Sequence, residues 1–188
     1  MYTPGPQVVE PLQTPSVQEV SQPTKVKLPA KSKDGDIGSF IQQCIALCAQ
    51  LEELRTQAHL IHLNYEAPNF FGVHKFLKKQ YEAHQEQFDN LGEFIRSMDY
   101  LMPMCAKGLA DSCPEFKDVT SYKANDMLIT YYKNLEDFAM RCKKVEALAA
   151  KVHAIDIQNY IAELAGEIFK AAWMVKAGLR SSLISAQE

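Results

Sequence analysis

The stretch His62–Glu93 reads HLNYEAPNFFGVHKFLKKQYEAHQEQFDNLGE. Pro68 and Asn69 break it into the end of one amphipathic helix and the start of another, since proline cannot continue a helix that reaches it. His62 and His74 flank the break, and further on Asp89 and Glu93 stand four apart, one turn from each other on one helical face. Imidazole serves iron and zinc, while carboxylate oxygens suit harder ions and balance the added charge as Fe(II) becomes Fe(III). The four side chains therefore suggest a transition-metal site with iron as its redox-active occupant. Each also has a plainer reading, because acids three or four apart line many solvated helix faces and isolated histidines often only pack.

Outward from the break, apolar residues recur at three and four. Ile41, Cys44, Ile45, Cys48, Leu51, Leu54 and Ala58 predict a first helix from Ile37 to about Tyr65. Asn69 is suited to N-cap a second helix, whose stripe of Phe70, Val73, Leu77, Tyr81, Phe88, Leu91 and Ile95 runs to about Tyr100. The stretch from Leu101 to Lys123, punctuated by Pro103, Gly108 and Pro114, is long for a bundle connection. It fits one long crossover holding a short helix. A third helix, near Asn125 to Val152, carries Met127, Leu128, Tyr131, Leu135, Phe138, Met140, Val145 and Leu148. A fourth, from about Asp156 to Leu179, carries Ile157, Ile161, Leu164, Ile168, Phe169, Ala172 and Val175. The expected fold is all-α, a four-helix bundle with the crossover between helices 2 and 3.

Residues 1–36 differ in kind: Pro4, Pro6, Pro11, Pro15, Pro23 and Pro29, six of the nine prolines, fall there and leave no helical period. This reads as an extended arm, with Lys25, Lys27, Lys31 and Lys33 near its end and Glu10, Glu19, Asp34 and Asp36 offsetting them. Residues 37–181 form the helical domain and 182–188 a short tail. The 188 residues are 47% hydrophobic, ample for a single core. No apolar run approaches a membrane span, and the start has neither a basic nor an apolar signal-like region, so a cytoplasmic protein is expected. Of the five cysteines, Cys44 and Cys48 lie four apart on the apolar face of the first helix, where they read as small buried hydrophobes. Cys105, Cys113 and Cys142 show no zinc-ribbon pairing.

The run His62-Leu63-Asn64-Tyr65-Glu66-Ala67-Pro68-Asn69-Phe70, then His74, Asp89 and Glu93, resembles the signature of Dps, the DNA-binding protein from starved cells, a miniature ferritin. That family reads His-Trp-Asn-x-x-Gly-x-Asn-Phe, with a second His, an Asp and a Glu at the spacings found here. Ala172-Trp173-Met174 is similar to the segment that closes the family's last helix. The resemblance covers roughly residues 37–181 and implies a ferritin-like bundle. It further implies a hollow homododecamer that oxidises Fe(II), preferably with hydrogen peroxide, and stores ferric oxide. His62 and His74 of one chain would then face Asp89 and Glu93 of a twofold partner.

Three positions depart from the pattern. Leu63 stands where the family has Trp, and Ala67 where it has Gly. Lys78, one turn after His74, stands where the family has a further carboxylate ligand, and a protonated amine cannot coordinate metal. His59, one turn before His62, is a candidate additional ligand that would soften the site toward Zn(II), or else a supporting or surface histidine. Lys78 is also placed to pair with Asp89 or Glu93 and orient it. The alternative function is thus a Dps-like shell that sequesters iron or zinc with weak or no ferroxidase activity. DNA binding would have to run through Lys25, Lys27, Lys31 and Lys33, because a shell carrying −3 per chain repels duplex. Asp156 is a candidate pore acid, or simply an acid at a helix start.

Overall fold

The computed structural model describes residues 37–180, and within them all regular structure is helical. The helices are α1 (Ile37–Asn64), α2 (Phe70–Ser97), α3 (Ala106–Ala110), α4 (Ala124–Lys151) and α5 (Ile155–Gly178). The basic arm and the C-terminal tail lie outside the described residues. Short links at residues 65–69 and 152–154 fold α1 back on α2 and α4 back on α5, and the two hairpins join chiefly through α1 and α4. Residues 98–123 form the crossover, which holds α3. None of the described helices is long and apolar enough to cross a membrane.

The expected periodicity is the observed core. Ile41, Cys44, Leu51, Leu54, Leu77, Leu91, Ile95, Leu135, Ile157 and Ile161 are fully buried. Cys48 and Cys142 share that interior, and burial pushes the thiols of Cys44 and Cys142 up to about 12, where they stay protonated and inert. Met140, expected among the apolar positions of α4, is instead 49% exposed. It lies between buried Ala139 and half-buried Arg141, and α4 turns it to the surface. Trp173 is likewise 63% exposed, so α5 does not close on an indole packed within its own chain.

Helix ends correct the sequence reading in two places. Asn69 stands at the N-cap position of α2 but makes no side-chain cap hydrogen bond. Its Oδ1 accepts the Tyr65 hydroxyl at 2.8 Å, so the residue ties the α1–α2 link together. Helix α2 ends at Ser97, short of Tyr100, because Asp99 takes a left-handed backbone with φ 64° and the Tyr100 amide closes back on the Ile95 carbonyl. His153 does the same after α4, with φ 59°.

Candidate metal centre

His62 lies in the last turn of α1 and His74 in the second turn of α2, so the hairpin brings together two residues that are twelve apart in sequence. Their rings stack at 3.6 Å between centroids, tilted by only 20°. The bonds between them are reciprocal. His62 Nδ1 lies 2.8 Å from the His74 carbonyl oxygen, and His74 Nδ1 lies 3.0 Å from the His62 carbonyl oxygen. A carbonyl only accepts, so both Nδ1 atoms carry the proton and both Nε2 atoms carry a lone pair. Backbone carbonyls thereby fix the ligating tautomer of each ring, as outer partners of metal-bound histidines do. The His62 carbonyl is also one of the four at the end of α1 that lack a helical partner, so the His74 ring caps that helix.

Aromatic neighbours hold the pair. Phe70 packs against His74 at 4.9 Å, and Tyr81 meets His62 edge-on at 5.5 Å. His59 packs on Tyr81 at 4.4 Å, with its ring 6.1 Å from that of His62. In this place it supports the aromatic cluster.

Asp89 and Glu93 are exposed on α2, fifteen and nineteen residues beyond His74. At 1.5 Å of rise per residue they stand about 22 to 28 Å from it along the helix. One chain cannot bring the four side chains to one ion. Among the described residues, no group of three or more histidines, cysteines or acids is placed to hold a metal. Each chain instead carries an imidazole pair near one end of α2 and a carboxylate pair nearer the other. Asp89 also edges an open depression of about 910 Å³ with Glu52, Arg55, Glu82, Gln85, Glu86 and Phe88. Lys78 does not pair with Asp89 or Glu93 of its own chain. Its ammonium lies 3.7 Å from Glu82, one turn away and on the near side of both acids.

The profile of the ferritin-like domain matches residues 42–182, three quarters of the chain. The chain belongs to the ferritin-like family. Its fold is that of the Dps proteins. Antigen TpF1 of Treponema pallidum superposes with a TM-score of 0.72 at 20% identity, over 80% of this chain and 99% of that one. Dps from Listeria monocytogenes gives 0.70 at 20% identity, over 74% and 92% of the two chains. Dps from Vibrio cholerae O1, described as one of a broad superfamily of ferritin-like diiron-carboxylate proteins, gives 0.70 at 16%, over 76% and 89%. No curated protein matches at the sequence level.

Many ferritin-like proteins carry their metals inside the bundle, on glutamates and Glu-x-x-His pairs. In this ferritin-like chain neutral side chains fill part of that interior. His84, fully buried on α2, meets Gln87 Oε1 at 2.9 Å through Nδ1 and the Tyr131 hydroxyl at 2.9 Å through Nε2. Gln87 Nε2 donates to Glu167 at 2.9 Å, which leaves its Oε1 to accept and assigns the His84 proton to Nδ1. Sequence reading missed this network. The only signal was a histidine on the apolar face of α2 with Gln87 one turn on, and the groups that complete the network, Tyr131 on α4 and Glu167 on α5, are far away in sequence.

Proposed function

We propose that this protein takes up ferrous iron at centres shared between two chains, oxidises it there and stores the ferric product in a hollow assembly of twelve chains. The observation that carries this reading is the reciprocal His62–His74 pair, whose stacked rings are each held through Nδ1 by a backbone carbonyl, which leaves the lone pairs on Nε2. Asp89 and Glu93 of a twofold partner supply the anionic ligands that favour Fe(III) over Fe(II). Hydrogen peroxide is the preferred oxidant. Each peroxide consumed takes one electron from each of two ferrous ions bound at two centres of the particle, and with two protons its O–O bond breaks and both oxygens leave as water. A formal charge of −3 per chain sums to about −36 over twelve copies and draws cations inward.

The test is Fe(II) oxidation followed by ferric absorbance, with peroxide and with air in parallel. A fast peroxide phase is expected, and it should vanish in His62→Ala and in Asp89→Ala while the particle mass stays unchanged. Lys78 favours a second reading, in which the shell sequesters iron or zinc without fast oxidation. An assembled particle that binds metal yet oxidises iron no faster than buffer selects that reading.

A further inference from the structure

The outer face of α2 has its charges sorted by sign. At 100° per residue, Lys75, Lys78, Lys79, Glu82, Glu86, Asp89 and Glu93 fall within one sector about 100° wide, roughly opposite the side that buries Leu77, His84, Leu91 and Ile95. All seven are exposed. The three lysines come first along the helix and the four acids after them. Two such helices laid antiparallel match plus to minus along their length, and laid parallel they repel.

A twofold interface fixes the register further, because if residue i faces residue j, then j faces i. Placing His74 between the partner's Asp89 and the partner's Glu93 puts the axis beside Glu82 and Ala83. The same register sets Lys78 opposite the partner's Glu86 and the partner's Asp89. Charge sorting and ligand spacing thus arrive independently at one arrangement.

We propose that Lys78 is a built-in cation of the shared centre, pairing across the twofold with the partner's Glu86 and the partner's Asp89 and leaving each centre room for one metal ion instead of two. This rests on the shared-centre reading above. The ammonium occupies carboxylate lone pairs that a second ion would need, offers none itself and repels a divalent cation nearby. Because the lysines already neutralise part of the acidic stripe, two chains pair before metal arrives.

The experiment counts Co(II) bound by the full-length, EDTA-treated protein in equilibrium dialysis, with no oxidant present. One ion per chain is expected for the parent and two for Lys78→Asp, counted at a salt concentration that screens the added carboxylates and in particles whose full mass is confirmed by light scattering. Two ions in the parent, or one in Lys78→Asp, overturn the role of Lys78 and leave the shared centre standing. No bound ion in a particle of full mass overturns both. A charge swap tests the pairing without metal, with particle mass read by light scattering at low salt. Lys78→Glu should lower the mass, and Lys78→Glu with Glu86→Lys should restore it. A double variant that keeps its helix content but stays dissociated overturns the pairing.

Discussion

His84 takes its proton in the unfolded chain near 6.5, but in the fold only near 4, because burial penalises the imidazolium more than the Gln87 bond favours it. Its folded value is the lower one, so its share of stability is complete above pH 6.5 and falls as pH drops toward 4. The loss amounts to about 3 kcal/mol at most. Urea unfolding at pH 7 and pH 5 should show this as a steeper decline in the parent than in His84→Gln. Equal declines would remove His84 from the account. Tyr131→Phe leaves His84 Nε2 buried without its donor and should cost about 1–3 kcal/mol at pH 7. None of this was legible in the sequence, where a core histidine and a surface histidine look alike. The meeting of His62 with His74 was legible, because imidazoles on either side of a proline break face each other once the hairpin closes.

At the scale of elements, apolar periodicity placed the four long helices to within a few residues, since each buries one stripe. The exceptions lie where a backbone choice or a distant polar partner decides. Asn69 could cap α2, but the Tyr65 hydroxyl claims its oxygen. The crossover is held by a latch that periodicity cannot reveal. Asn134 Nδ2 lies 2.7 Å from the Lys117 carbonyl and 3.0 Å from Gln57 Oε1, and Gln57 Nε2 donates to the same carbonyl at 3.0 Å. Asn134→Ala should cost about 1–3 kcal/mol and speed amide exchange between residues 114 and 122 more than within the helices. Uniform loss of protection would argue against a local latch. After α4, His153 pays the left-handed backbone penalty, so His153→Gly should raise stability by about 1 kcal/mol, seen as a higher Tm.

At the scale of the whole molecule, the protomer has the ferritin-like architecture, with the His62–His74 pair seated in the α1–α2 hairpin and Asp89 and Glu93 exposed farther along α2, so the candidate ligands of one chain do not meet. On the proposed reading, assembly is a condition of chemistry. Light scattering should find a particle of about 250 kDa, twelve times the 21.2 kDa chain, and a lone chain of 21.2 kDa would remove the shared centre altogether. On the proposed reading, iron uptake should slow as salt rises from about 0.05 to 0.5 M, because screening shortens the reach of the assembly's negative field. An uptake rate indifferent to salt would mean that this field does not steer the ion.

The stapled α1–α2 hairpin has a kinetic corollary. Each imidazole anchors its ring to the other's backbone, so on the proposed reading the two rings are already ordered before an ion encounters them, and little ordering entropy remains to be lost. Capture should then run at the pace at which a hydrated ion sheds its water. It should carry almost no change in heat capacity, as befits a receptor that closes over nothing.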